Sequence, residues 1–255
     1  MASNPPGRCC VTGGRHEGSP RGEIKIFNDV EVYITYPNDK STENAILLLT
    51  DVMGHRFINA QLIADRFAEN GYFVYMLDLF YGDPVSLNLP EDFDIMGWLN
   101  GPPRHLPSRV DPVVQASIKE MRKTLGCKNI GGVGYCFGAK YVVRNLGYMG
   151  GPGDGLDAGY VAHPSFVESD ELQATKKHLA ISAAETDSIF PTSKRHESEE
   201  ILIGTKIPYQ INLFSGVEHG FAVRLSEETL VGNFAKEQAF VQAVTWFSMH
   251  LRESE

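Results

Sequence analysis

Largely apolar runs that alternate with stretches of helical periodicity constrain the fold of this chain more than any other feature. "AILLL" at 45–49 and "YFVYMLDLF" at 72–80 are typical of strands buried on both faces of a sheet. Between these runs, Ile63 and Phe67 lie one helical turn apart, and Gly71 marks a helix end. Strands that alternate with helices form a mostly parallel sheet with helices on both faces. The sequence therefore predicts an α/β fold.

Other segments complete the prediction of a single domain over all 255 residues. Residues 23–37 alternate apolar and polar side chains around an Asn-Asp pair, which predicts an antiparallel hairpin at one sheet edge. Residues 81–109 contain several prolines and no sustained period, which predicts a loop-rich excursion of the kind that often covers a binding site. A helix is expected to open at Asp111-Pro112, and a last helix at 227–251.

Composition limits the possible partners and the compartment. A formal net charge of −9 argues against binding to nucleic acid or to an anionic membrane surface. We find neither a signal-peptide pattern nor an apolar stretch of membrane-span length. Four cysteines, two of them adjacent, fit a reducing compartment better than a disulfide framework, so the expected location is cytoplasmic. The spacing of Cys9, Cys10 and His16 matches no standard zinc pattern, and a structural or untethered N-terminal segment is expected instead of a metal site.

The most specific chemical motif is a cysteine between two glycines at the end of a predicted strand. Gly134-Tyr135-Cys136-Phe137-Gly138 has the pattern of a nucleophile elbow with cysteine in place of serine. Its glycines permit a tight turn, and the turn places the sulfur at the N-terminus of a helix, where partial positive charge favours a thiolate. The alternative is a buried structural cysteine with incidental glycines nearby.

Two further residues at predicted strand ends favour the catalytic interpretation. Asp187 and His219 follow the next predicted strands in the chain order nucleophile, acid, histidine. Each alone has an ordinary explanation, a helix cap for the aspartate and a surface position for the histidine. Together they predict that His219 acts as the base for Cys136, and that Asp187 orients its ring. The backbone amides of Phe137 and Val52 are expected to form the oxyanion hole.

These motifs are similar to those of a known family. "GYCFGAK", "HGF" and the position of Asp187 resemble the dienelactone hydrolases, and "GRCC" and "HPSF" resemble the fungal branch of that family. The resemblance covers nearly the whole chain. It implies the α/β-hydrolase fold, a Cys-His-Asp hydrolase, a small lactone or ester substrate, and no cofactor. The oligomeric state stays open between monomer and homodimer.

The resemblance also implies a carboxylate near the resting thiol. The matching position carries glutamate in the bacterial enzymes and Asp51 in this sequence. Because the aspartate side chain is shorter, two interpretations stay open. Asp51 either contacts Cys136 or orders the loop that supplies the oxyanion hole.

A second departure from the family concerns the substrate. Bacterial dienelactone hydrolases bind the substrate carboxylate with two arginines, and the matching positions here are near Gly82 and at Val223, with Arg224 one residue late. A carboxylate without a planar cationic partner is poorly held. The expected substrate is therefore less anionic than dienelactone and more aromatic. Candidates for the pocket wall, with core packing as the alternative for each, are Phe80, Tyr81, Trp98 and His163.

Three functions remain open at this point. The leading one is hydrolysis of a lactone or an activated ester through a thioester on Cys136. The second uses the same site for acyl transfer, cyclisation or isomerisation, as the resemblance to fungal secondary-metabolite enzymes allows. The third is a non-catalytic relative that binds a ligand.

Overall fold

The predicted alternation of strands and helices produces one eight-stranded sheet in a computed structural model that describes residues 2–147, 149, 155–226 and 229–251. The strands are β1 (Glu23–Phe27), β2 (Val30–Thr35), β3 (Asn44–Leu49), β4 (Phe73–Leu77), β5 (Asn129–Tyr135), β6 (Ala158–Ala162), β7 (His178–Thr186) and β8 (Tyr209–Glu218). Their order is β1-β2-β4-β3-β5-β6-β7-β8. The first two pairings are antiparallel and the others are parallel. This confirms the α/β-hydrolase arrangement with an N-terminal hairpin.

Helices cover both faces of the sheet. They are α1 (Ile58–Glu69), α2 (Ile95–Asn100), α3 (Pro107–Lys123), α4 (Gly138–Asn145), α5 (Ser169–Gln173), α6 (Thr192–Thr205) and α7 (Leu230–His250). In β3, Leu47 and Leu49 pack with α3 and α4, whereas Ile46 and Leu48 pack with α1 and α7. All four side chains are fully buried, and each stabilises the fold by about 1.5–3 kcal/mol. The continuous apolar run thus serves two separate core layers.

The structure corrects the predicted start of one helix. Helix α3 begins at Pro107, so Pro107 and not Pro112 takes the early position where a proline is tolerated. Asp111 lies inside the helix and is buried, where its carboxylate accepts hydrogen bonds from Arg144 at 2.6 and 2.9 Å. The excursion predicted over 81–109 is correspondingly shorter, and it contains α2. Asp111-Pro112 has the composition of a helix start. The Asp111 carboxylate instead pairs with Arg144, which is 33 residues away in sequence and leaves no local signal.

The last helix differs in two details. The predicted first residue, Glu227, lies outside the described residues, and α7 begins at Leu230. Thr229 caps the helix, because its side-chain oxygen accepts a hydrogen bond from the amide of Gly232 at 3.0 Å. Phe234 is 64% exposed, so the apolar residues of this helix do not all face the sheet. Within the described ranges, none of the helices has the length and apolar character that crossing a membrane requires.

A buried ionic network joins α3, α4 and α5. Arg144 binds Asp111 and also Glu171, which in turn binds Lys140 at 2.8 Å. The side chains of these four residues are between 3% and 11% exposed. Because α4 starts immediately after the predicted nucleophile, the network holds in place the helix on which the candidate site depends.

Replacing Asp111 tests this network. We expect Asp111→Ala to lower the free energy of unfolding by about 3 kcal/mol, because it leaves part of the Arg144 charge buried without compensation. Urea denaturation measures the change. The control is Glu43→Ala, which breaks an exposed pair with Lys128 and should cost less than about 1 kcal/mol. Equal losses in the two variants would contradict the assignment.

Candidate active site

The sharp turn after β5 presents Cys136 at the carboxyl edge of the sheet. Cys136 has φ +49°, in the left-handed region, and α4 begins two residues later. A Cβ atom at Gly134 would lie 2.7 Å from the Cα atom of Ala139, and one at Gly138 would overlap the carbonyl oxygen of Leu49. The two glycines are therefore required by close backbone approach, as the motif predicts.

Three side chains from three strand ends meet at this turn. The Cys136 Sγ atom lies 3.2 Å from His219 Nε2, and His219 Nδ1 donates to Asp187 Oδ2 at 2.8 Å. The other carboxylate oxygen of Asp187 accepts the amides of Ile189 and Phe190 at 2.8 and 2.9 Å, which fixes its orientation. Because β5, β7 and β8 are parallel, their carboxyl ends lie at one edge of the sheet. The structure thus brings together the three residues that the sequence singled out.

The thiol and the imidazole shift each other's pKa in opposite directions. Burial by itself opposes a thiolate, but a hydrogen bond with Cys10 and the positive charge of His219 outweigh it and hold the pKa of Cys136 well below its ordinary value. For His219, burial opposes the charge, while the thiolate and the bond to Asp187 raise the pKa to about 10. Both shifts favour a thiolate and an imidazolium over a neutral thiol and imidazole.

Cys10 is the residue at this site that sequence reasoning missed. Its Sγ atom lies 3.2 Å from Cys136 Sγ and 3.5 Å from His219 Nε2, and the side chain is fully buried. The contact lowers the pKa of Cys136, and burial and the contact raise the pKa of Cys10, which favours the Cys10 thiol as the donor whenever Cys136 is ionised. The N-terminal segment that carries Cys10, residues 2–14, is named here the N-terminal strap. The one sequence signal for it was the "GRCC" motif.

A second buried ion pair holds the N-terminal strap. Arg224 donates through Nη1 to Asp51 Oδ2 at 2.6 Å, through Nε to the carbonyl of Thr12 at 3.0 Å, and through Nη2 to the carbonyl of Cys9 at 3.1 Å. The other carboxylate oxygen of Asp51 accepts the amide of Met53 at 3.0 Å. This geometry favours the interpretation that Asp51 orders its loop. It also makes Arg224 a support of the strap.

The two residues expected to form the oxyanion hole lie on loops that touch. The amide of Gly138 donates to the carbonyl of Thr50 at 3.0 Å and joins the elbow to the loop after β3. Phe137 follows the nucleophile directly, and Val52 is held through its carbonyl, which accepts the amide of Val85 at 2.9 Å. Both Phe137 and Val52 are fully buried.

The aromatic candidates from the excursion separate into two groups. Phe80 is buried, and its ring centroid lies 5.1 Å from that of Phe137 and 5.4 Å from that of Trp98. Tyr81 is 41% exposed, and the guanidinium of Arg109 lies 4.3 Å from its ring centroid. Phe80 thus borders the elbow and Trp98 packs behind it, whereas Tyr81 faces solvent.

His163 packs against the imidazole of His219. The ring centroids are 5.0 Å apart, and the other side of His163 stacks on Tyr135 at 6.0 Å. Burial, together with the nearby charge of His219, holds the pKa of His163 well below its ordinary value, so the ring is neutral. His163 therefore positions the histidine. Ser165 lies closer to the nucleophile, with Oγ 3.6 Å from Cys136 Sγ.

The sulfur atoms could also bind a soft metal ion. Within the described residues, the ligand atoms of Cys9, Cys10 and His219 lie within 4.8 Å of one another, whereas His16 is not part of this group. A hydrogen bond with Cys10 lowers the pKa of Cys9 to about 6. A metal ion bound here would coordinate the imidazole of His219, the ring that contacts Cys136.

Comparison with known proteins identifies the family. The sequence pattern of the dienelactone hydrolase family matches residues 30–251. The chain belongs to this family. It is 54% identical over 253 residues to the hydrolase pyvD of Aspergillus violaceofuscus, and the matched region covers 99% of this chain and 100% of that protein. It is 54% identical over 258 residues to the hydrolase tropI of Talaromyces stipitatus, with the same two coverages.

Solved structures agree on the fold. The crystal structure of a dienelactone hydrolase-like phosphotriesterase from metagenomic libraries matches with a TM-score of 0.71 and 14% identity, over 92% of this chain and 100% of that one. The family match and the named relatives make this chain a hydrolase of the dienelactone hydrolase type.

The charge state of Cys136 can be measured without a substrate. The difference in ultraviolet thiolate absorbance between the wild type and Cys136→Ala reports the ionisation of Cys136. We expect this difference to persist below about pH 7, whereas an ordinary thiol, which titrates at about 8.5, would lose it there. In a His219→Gln background the same difference should vanish at neutral pH and return only at higher pH. Equal absorbance of wild type and Cys136→Ala at neutral pH would refute the ion pair.

Proposed function

We propose that this protein hydrolyses a lactone or an activated ester through a thioester on Cys136. The observation that supports this most directly is the continuous contact from Cys136 Sγ through His219 to Asp187, at 3.2 and 2.8 Å. A nucleophile that contacts a base, which a third group orients in turn, is the arrangement that covalent catalysis requires.

In the first half of the reaction, the Cys136 thiolate attacks the carbonyl carbon of the substrate. The carbonyl oxygen becomes an oxyanion, and the amides of Phe137 and Val52 stabilise it. The carbon–oxygen bond of the ester then breaks. The imidazolium of His219 gives its Nε2 proton to the departing oxygen, and the acyl group remains on the sulfur.

In the second half, water attacks the thioester while His219 accepts a proton. The carbon–sulfur bond breaks, and the thiolate of Cys136 reforms beside the imidazolium. Asp187 stays ionised throughout and holds the ring in the correct tautomer. Because a thiolate is itself a good leaving group, the tetrahedral intermediate goes forward only when the departing oxygen is also stable as an anion. This favours lactones and activated esters over amides.

The surroundings of the site support a substrate with little negative charge. Three of the five N–H groups of the Arg224 guanidinium already donate to Asp51, Thr12 and Cys9. Asp51 also balances the charge of Arg224, so a substrate carboxylate there would have to compete with a buried carboxylate for the same cation. The ring of Phe80 beside the elbow favours an apolar or aromatic acyl or leaving group.

Substrate access requires a rearrangement of the N-terminal strap. Cys136 and Cys10 are fully buried, and the Cys10 sulfur lies against the nucleophile. A reacting carbonyl carbon must come within about 3–3.5 Å of the attacking sulfur. The Cys10 side chain must therefore move away before a substrate can take its place. A cavity of about 350 Å³ opens beside His219, and its lining includes Phe221 and Arg224 but not Cys136.

Substitution of the triad tests the proposal. With a panel of lactones and aryl esters, we expect Cys136→Ala to lower kcat by about 10³-fold or more, and Asp187→Asn by about 10²–10⁴-fold. Cys127→Ala is the matched control, since it removes another buried thiol remote from the triad and should change the rate little. Turnover in isotopically labelled water separates the reactions, because hydrolysis alone places solvent oxygen in the acid product. Equal rates for Cys136→Ala and wild type would exclude the mechanism.

The charge preference gives a separate prediction. A neutral lactone or aryl ester should have a kcat/KM at least about tenfold higher than its analogue with a carboxylate next to the reacting group, because a carboxylate without a cationic partner loses its hydration without compensation. Steady-state kinetics on such matched pairs measures the ratio. A preference for the carboxylated member would show that a cation is free to bind it.

A further inference from the structure

The proposed reaction needs one thiol, and the site contains a second one in contact with it. Cys10 Sγ lies 3.2 Å from Cys136 Sγ, and both side chains are fully buried. None of the steps above uses the Cys10 thiol as nucleophile, base or oxyanion donor. Besides its hydrogen bond to Cys136, this position allows chemistry between the two sulfur atoms.

Backbone hydrogen bonds on both sides of Cys10 hold it in place. The amide of Cys10 donates to the carbonyl of Gly7 at 2.9 Å, and the carbonyl of Val11 accepts the amide of Asn88 at 2.7 Å. Arg224 binds the carbonyl of the preceding residue, Cys9, at 3.1 Å. The approach of the two sulfur atoms is thus built by contacts from three parts of the chain.

We propose that Cys10 and Cys136 form a reversible disulfide when the protein reacts with hydrogen peroxide, so that the pair is a redox modification site. The sulfur atoms need to approach by only roughly 1 Å, since a disulfide bond is about 2.05 Å long. The chemistry takes two steps, and peroxide is the only co-reactant.

In the first step, the Cys136 thiolate attacks one oxygen of the peroxide. A sulfur–oxygen bond forms, the oxygen–oxygen bond breaks, and the departing hydroxide takes a proton from the His219 imidazolium to give water. In the second step, the Cys10 sulfur attacks the sulfenic acid of Cys136. The sulfur–sulfur bond forms, the sulfur–oxygen bond breaks, and the departing hydroxide takes the proton that Cys10 gave to His219, which makes a second water. The two sulfur atoms together lose two electrons, and the peroxide gains them.

His219 is positioned to assist the second step. The Cys10 thiol must lose its proton before its sulfur can attack the sulfenic acid. The first step has already taken the Nε2 proton of His219. The imidazole, with Nε2 3.5 Å from Cys10 Sγ, is then free to accept the proton.

Cys10 is the favoured partner among the three other cysteines. The Cys9 sulfur contacts Ser188 Oγ at 3.8 Å and not Cys136. Cys127 follows α3, where burial raises its pKa to about 12. A bond to Cys10 would block the nucleophile, tie the N-terminal strap across it, and prevent irreversible oxidation of Cys136 beyond the sulfenic acid. Thiol reductants would restore the active form.

Peptide mapping after peroxide treatment tests the proposal directly. Reduced protein is treated with a small excess of hydrogen peroxide, alkylated and digested with trypsin without reduction. We expect free thiols to fall from four to two, and peptide 9–15 to be joined to peptide 129–140 with the loss of two hydrogen atoms. Dithiothreitol should separate them. Because this readout is a mass, it does not depend on whether the protein hydrolyses any ester.

Three variants assign the bond. Peptide 9–15 contains both Cys9 and Cys10, so Cys9→Ser must keep the cross-link, and Cys127→Ser is expected to keep it as well. Cys10→Ser must lose the link, and its Cys136 should proceed to the sulfinic acid that dithiothreitol cannot reverse. A link that persists in Cys10→Ser, a Cys9–Cys10 link in the wild type, or sulfinic acid on wild-type Cys136 without any cross-link would each overturn the proposal.

Discussion

The buried contact between Cys136 and His219, whose pKa shifts favour a thiolate–imidazolium pair, is the interaction on which the rest of the site depends. Two opposite charges enclosed in a protein interior persist only when their remaining polar atoms also have partners. Asp187 supplies that partner for His219 at 2.8 Å, and the Cys10 thiol supplies it for Cys136 at 3.2 Å. The imidazole and the sulfur thus each have a hydrogen-bond partner from a different part of the chain. His163, neutral and packed on the His219 ring, completes the enclosure without adding charge.

A second buried pair, Arg224 with Asp51, links the parts of the chain that surround the first. Asp51 belongs to the loop after β3 that carries the expected oxyanion donor Val52, and Arg224 also binds two carbonyl groups of the N-terminal strap. The same guanidinium thus fixes the oxyanion loop and the strap. Because Asp51 balances the charge of Arg224, the site has no uncompensated cation at this position.

Local sequence was informative where one short segment decides the structure. The Gly-x-Cys-x-Gly turn was predictable because backbone contacts at Gly134 and Gly138 leave no room for a side chain. The start of α3 was not, because Asp111-Pro112 has the composition of a helix start while its carboxylate serves Arg144, 33 residues away in sequence. Among the pocket candidates, Phe80 and Tyr81 are adjacent in sequence, yet one packs on Phe137 and the other faces solvent. Aromatic residues in an aperiodic segment carry no pattern that distinguishes these outcomes.

The sequence by itself determined the α/β architecture, the order of the chemical groups along the strands, and the family to which the chain belongs. The architecture and the order of the groups follow from strand and helix periodicity and from the fact that parallel strands end at one edge, whereas the family follows from the resemblance of the motifs. Only the tertiary structure decided the roles of Cys10, Asp51 and Arg224. Their contacts join segments more than 100 residues apart in sequence, with separations of 126 for Cys10 to Cys136 and 173 for Asp51 to Arg224. Such contacts depend on how the strap, the loops and the sheet pack together, which no local pattern records.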